Sequence, residues 1–168
     1  MVKRYKKKFA LTYHYVDEDG AEDIAFVANG RMLPLFKSMT GVELSDAIND
    51  YLASLRKITS ENNLRALFKF TNEDNPDSKI SIVQDNADDF LDMFKVALGA
   101  KVGDDGMDLV ETILICARVC AMPEDDQKEA LAIGTEILPD EIYQDPQFAF
   151  EILKLAIGYT EDAKKNSK

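Results

Sequence analysis

One histidine, His14, and two cysteines, Cys116 and Cys120, carry the most reactive side chains of this chain. A structural zinc site takes four His or Cys ligands, and Cys116 with Cys120 has no second pair to join. A Cys–His nucleophile needs a thiol in a polar, partly exposed place, but Cys116 lies in the most apolar stretch of the sequence, where a thiol is inert packing. His14 alternates onto the polar side of an aromatic strand and reads as a solvated side chain. The two cysteines stand four apart, on one face of a helix. A disulfide there would close a very short loop and stabilise little, so the pair fits a reducing compartment.

Carboxylates are the next candidates. Asp85, Asp88, Asp89 and Asp92 recur at i, i+3, i+4 and i+7 and so share one helical face, where hydrated Mg²⁺ or Ca²⁺ could bridge two of them. No EF-hand spacing accompanies them, and acids are favoured near a helix N-terminus without any ligand, so they read as a solvated face. The stretch 99–106 is glycine-rich but lacks the Gly-Lys-Ser/Thr of a phosphate loop, and Asp104 and Asp105 would repel a phosphate. It reads as a flexible helix-to-helix connection. Lys3, Arg4, Lys6, Lys7 and Lys8 form a basic start that reads as a frayed terminus. No residue is assigned to catalysis, to a metal or to a cofactor, and the expectation is a protein that is not an enzyme.

The elements that would position a site follow from patterning. The chain has 168 residues, 46% apolar, with 20 bases against 31 acids and a net charge of −11. That length favours one domain that buries roughly 68–70% of its unfolded surface. The acidic balance argues against nucleic acid, which calls for a basic footprint. Between residues 84 and 146 sixteen acids face four bases, so the charge is polarised along the chain. No apolar run approaches the ~20 residues of a membrane span, and 109–122 is interrupted by Glu111 and Arg118. The basic start has no apolar core or cleavage site of a signal peptide, which makes the cytoplasm the expected location.

Phe9, Leu11, Tyr13 and Tyr15 alternate, Asp17-Glu18-Asp19-Gly20 is turn chemistry, and Ile24 and Phe26 alternate again, so residues 9–28 predict an antiparallel hairpin. Met32, Leu35, Phe36 and Met39 then recur at helical spacing, with Gly41 as C-cap. Leu44, Ala47, Ile48, Tyr51, Leu52 and Leu55 form the clearest amphipathic stripe. Further elements are a short helix around 64–68, a polar loop at 71–78, a possible strand at 80–83 and a helix at 87–98. A helix over 107–121, capped by Asp104 or Asp105, is apolar nearly all round and should be central. Pro123 and Asp145-Pro146 open two more, the last spanning 147–159. The expectation is an α+β fold, mainly α: an N-terminal hairpin (9–28) packed on a helical bundle (31–159), in one domain over 1–160, with a disordered polar tail at 161–168. The apolar faces of 44–55 and 147–159 are also candidates for self-association.

Phe26, then Asn29-Gly30-Arg31, Phe36-Lys37 and Thr40-Gly41-Val42, within residues 26–51, resemble the N-terminal part of tail assembly chaperones from siphophages and prophages of Gram-positive bacteria. The sharp part covers about a sixth of the chain. The resemblance implies a non-enzymatic protein of the bacterial host cytoplasm. It would coat the long helical tape measure protein, keep it soluble and help recruit tail tube subunits. A helix-in-groove contact through apolar, Met-rich surface would suit that task, with Met32, Leu35, Phe36, Met39, Tyr51 and Leu55 as the side chains that meet the partner. It also implies a longer second form made by ribosomal slippage near Lys164-Lys165. Two other classes compete: an acidic DNA mimic that occupies a basic partner's groove, and a small Mg²⁺-dependent hydrolase or transferase built on the Asp cluster.

Overall fold

A computed structural model describes residues 9–57 and 99–166. The basic start and the four elements expected between 58 and 98, including Asp85, Asp88, Asp89 and Asp92, lie outside the described residues. The α+β, mainly α architecture holds: a two-stranded antiparallel hairpin precedes helices that make up most of the described chain.

Strands β1 (Ala10–Asp17) and β2 (Gly20–Val27) pair from Ala10 opposite Val27 to Asp17 opposite Gly20. The Asp19 amide donates to Asp17 Oδ1 at 2.8 Å, and Gly20 takes φ 138°, so the turn uses its aspartate and glycine as the sequence implies. Alternation puts Phe9, Leu11, Tyr13 and Tyr15 on the same side as buried Ile24 and Phe26.

Just before helix α1 (Met32–Thr40) the Asn29 side-chain oxygen accepts from the Arg31 amide at 2.9 Å, and the helix stops at Gly41 in the left-handed region. Helix α2 (Leu44–Arg56) buries Leu44, Ala47, Ile48, Tyr51 and Leu55. A second, two-residue hairpin, β3 (Lys101–Val102) with β4 (Met107–Asp108), occupies the stretch expected to be a flexible connection. Its turn needs Gly103 and Gly106 at positive φ. A Cβ on Gly103 would lie 2.4 Å from the Thr40 carbonyl oxygen, so the turn is pressed against the end of α1.

Because Met107 and Asp108 are strand, α3 begins at Leu109 and runs to Cys120. Asp104 and Asp105 sit in the hairpin turn and cap nothing. Ten of the twelve α3 side chains are buried; the exceptions are Glu111 and Arg118. Helix α4 (Glu124–Ile133) follows Pro123 and buries only Ala130. A 3₁₀ turn (Gly134–Ile137) and the short α5 (Asp140–Tyr143) lead to α6 (Pro146–Asn166).

Helix α6 continues through Asn166, where the sequence places a disordered tail from 161. The tail residues Glu161–Lys165 add to an already nucleated helix, so each needs only propagation and not a new nucleus. The faces offered for self-association are both used inside the chain. The α2 stripe is buried, α6 buries Phe148, Ile152, Leu153, Ala156 and Ile157, and the two helices touch.

Aspartate and aromatic contacts fasten the hairpin to α6. Asp145 Oδ1 accepts from the Phe148 amide at 3.1 Å as an N-cap, and Oδ2 accepts from the Tyr13 hydroxyl at 3.0 Å. The Phe148 ring meets Tyr13 edge-on at 4.9 Å and Phe26 at 5.0 Å, and Phe9 meets Tyr159 at 5.7 Å.

Ile113, fully buried in the middle of α3, tests this arrangement. Ile113→Asp places an unpaired charge in the core and should abolish cooperative melting. Ile113→Val should cost only about 0.5–1.5 kcal/mol in denaturant unfolding.

Candidate functional site

The reactive residues singled out in the sequence sit in inert places. His14 lies on the outer face of the hairpin, its Nδ1 2.6 Å from Asp23 Oδ1 on the paired strand, and both side chains are exposed. Cys116 is buried with its Sγ 3.6 Å from Met39 Sδ, and burial pushes its thiol up to about 12. The Cys120 thiol is also pushed upward by burial, and both cysteines are free. Among the described residues no three His, Cys, Asp or Glu side chains come together as a metal site, and no helix is long and apolar enough to cross a membrane.

The six side chains expected to meet a partner do not form one surface. Met32, Phe36 and Leu55 are fully buried, and Tyr51 is nearly so. Their stripes are consumed by packing of α1 and α2 onto the body, a use of apolar periodicity that sequence cannot separate from partner binding. Leu35 and Met39 are half-buried and pack both on the main core and on a second, smaller one made by Ile115, Val119 and Ala130.

That second core is the floor of an apolar surface. Ile115 and Val119 come from α3 and Ala130 from α4, and Met122, Ile137 and Tyr143 also pack against them, each half-buried. Met122, Ile137 and Tyr143 were missed from the sequence because none belongs to a helical stripe: Met122 follows the end of α3, and Ile137 and Tyr143 lie in short segments without periodicity. Only the chain's return across α3 brings them beside Leu35 and Met39. Leu131 (38% exposed) and Ile133 (51%) flank Ala130 on the same α4.

Carboxylates border this surface. Glu111 lies on α3 one turn before Ile115, and burial first, then Asp108, holds its carboxyl above the usual range. Asp108 is held below that range, chiefly by the hydrogen bond from Lys101. The Tyr143 hydroxyl donates to the Thr135 carbonyl at 2.8 Å, and burial, reinforced by Glu111 and Asp140, pushes it up to about 12.

A separate cleft of about 420 Å³ opens where α2 faces β3, lined in part by Tyr51, Asp50, Ser54 and Lys101. Two of its polar groups serve the fold: Ser54 Oγ donates to the Asp50 carbonyl, and the Lys101 ammonium is engaged by Asp108. With these two groups engaged, the apolar cluster between α1, α3 and α4 is the stronger candidate site.

A scan of protein-family profiles, a search of curated proteins and a search of solved structures returned no match to this chain.

Two measurements check these assignments. Both thiols should stay unreactive toward a thiol reagent near pH 8 in the native protein and react fully once it is unfolded, because burial keeps them protonated. Glu111 carries a raised folded-state pKa, so its ionisation opposes folding: the penalty is absent below the ordinary carboxylate range and grows as pH rises through it. Glu111→Gln should melt above the native protein at pH 7, and the gap should close as both proteins are taken below the carboxylate range.

Proposed function

We propose that this protein is a tail assembly chaperone of the siphophage type, which binds the helical tape measure protein, keeps it soluble until the tail tube grows around it, and helps recruit tube subunits. It would act in the bacterial host cytoplasm and without catalysis. The observation that supports this reading is the group of half-buried apolar side chains Leu35, Met39, Met122, Ile137 and Tyr143, beside carboxylates. Leu35 and Met39 also fall inside residues 26–51, the stretch that carries the family resemblance. A tape measure protein exposes long apolar helical stripes, and a shallow apolar surface with two flexible thioethers suits a series of non-identical stripes. The net charge of −11 would keep the coated filament in solution. Several copies arrayed on one filament, or associated with one another, would gain from multivalent contact.

The acidic DNA-mimic reading draws on the exposed acids between Glu124 and Glu141. It leaves the exposed apolar side chains Leu131 and Ile133 on the same segment without a role, because a basic groove is met by charge alone.

Co-expression with a long helical tape measure protein of a siphophage tests the proposal. The helical protein should move from the insoluble to the soluble fraction, and the complex should persist at about 1 M salt, where exposed charge contacts are screened beyond about 3 Å. A helical protein that stays insoluble, or a complex that dissolves at that salt, would count against the chaperone and favour the acidic mimic.

A further inference from the structure

The N-terminal hairpin has two edges, and they differ. The Ala28 amide donates to the Phe9 carbonyl at 2.9 Å, which makes Phe9 and Ala28 a hydrogen-bonded pair and continues the register of β1 and β2. Alternation then aims the main-chain groups of Leu11, Tyr13 and Tyr15 at β2, and those of Ala10, Thr12, His14 and Val16 away from it. The same alternation aims Ala25 away from β1, and there the Arg118 guanidinium of α3 donates to the Ala25 carbonyl at 3.1 Å. The outer edge of β2 is thus engaged by the body of the protein. Among the described residues nothing is hydrogen-bonded to the outward main-chain groups of β1. Ala10, Thr12, His14 and Val16 are all exposed, Val16 at 65%.

An open edge is a template for another strand, and proteins blunt such edges with lysine, proline, a bulge or a very short strand. Strand β1 has none of these. It is eight residues long, and its register with β2 runs from end to end without a bulge. From Ala10 to Val16 it holds no proline, no lysine and no acid, and Thr12, Tyr13, Tyr15 and Val16 favour extended backbone.

Charge at the two ends of the strand selects the neighbour and its direction. Lys6-Lys7-Lys8 precede β1 in the sequence, and Asp17-Glu18-Asp19 close it. An antiparallel neighbour of the same sequence sets a basic end against an acidic end twice over. A parallel neighbour sets like against like. The strand is therefore complementary to a second copy of itself in one direction only.

We infer that a second copy of this chain pairs with β1, edge to edge and antiparallel, about a two-fold axis at Tyr13. In that register Ala10 faces Val16 of the partner subunit and Thr12 faces His14 of the partner subunit. All four outward residues of each strand are then matched, through about eight main-chain hydrogen bonds. The exposed Val16 side chain gains an apolar neighbour, and the two hairpins become one four-stranded sheet. Because α3 engages the outer edge of β2, the pairing closes at two copies. The contact is small, so the dimer is weak and forms with rising concentration.

Sedimentation velocity of the full chain over about a hundredfold range of concentration, with amide hydrogen exchange read residue by residue, tests this. The mass should rise from one copy to two and no further. As it does, the Thr12, His14 and Val16 amides should gain about tenfold or more in protection, whereas those of Leu11, Tyr13 and Tyr15, already in the hairpin ladder, should be protected throughout. Thr12→Pro removes an outward N–H and no bond of the hairpin, so it should leave a folded monomer. Glu18→Lys with Asp19→Lys, in the exposed turn, sets like charges together at both ends of the pair and should weaken the dimer about tenfold. The charge variant decides if melting shows Thr12→Pro to be unfolded. A single copy at every concentration, assemblies larger than two, a dimer whose edge amides exchange freely, or a dimer that either folded variant leaves unchanged would each overturn the inference. A monomer in which the Thr12, His14 and Val16 amides are already protected would overturn it as well, and would assign the edge to a segment of this same chain.

Discussion

Burying ten of twelve side chains of α3 obliges the rest of the molecule to surround that helix. One sheet face or one helix stripe can cover only part of it, so several elements are recruited to different sides. The hairpin lies on one side, with Arg118 donating to the Ala25 carbonyl at 3.1 Å, and α1 and α6 take others. Asn29, at the junction of hairpin and α1, donates to the Cys120 carbonyl at 3.3 Å, at the C-terminal end of α3, while its side-chain oxygen accepts from the Arg31 amide just before α1. The two departures from full burial on α3, Glu111 and Arg118, mark where the cover is incomplete.

A two-stranded hairpin is marginal by itself in water, and here its stability is borrowed from α6. Asp145 couples the two in one side chain, one oxygen capping the start of α6 and the other accepting from the Tyr13 hydroxyl. Phe148, one turn into the helix, fills the space beneath Tyr13 and Phe26. The same Asp145-Pro146 pair that announces a helix start therefore also sets the position of the hairpin.

Helix α4 contrasts with α3. It buries Ala130 alone and leaves Leu131 and Ile133 in water. Its negative charge is costly to gather on one small segment, and that cost is not returned by packing against the body. An apolar floor with a carboxylate border follows directly from placing this weakly packed acidic helix beside the second face of α3. The function proposed for the protein rests on that juxtaposition and not on any reactive group, since the thiols are buried and His14 is engaged on the outer face of the hairpin.

Elements whose signal is local were legible in the sequence. The hairpin, with its aspartate–glycine turn, the Gly41 stop of α1, the α2 stripe, the all-round apolar α3 and the proline starts of α4 and α6 each depend on neighbours within a few residues. The 101–108 hairpin was not legible, because two-residue strands carry no periodicity and the Gly103 requirement arises from Thr40, more than sixty residues away. Nor was the helical course of α6 to Asn166, since propagation depends on the helix already formed and not on the polar residues that extend it. The candidate surface divided in the same way. Apolar spacing selected six residues as a group, but spacing is the same whether a stripe faces the core or a partner. Only the packing of α1 and α2 showed that Met32, Phe36, Tyr51 and Leu55 belong to the core, while Leu35 and Met39 are half-buried over the smaller cluster with Met122, Ile137 and Tyr143. Charge and composition were properties of the sequence; which carboxylates border an apolar floor was decided by tertiary structure, because it depends on segments brought together across α3.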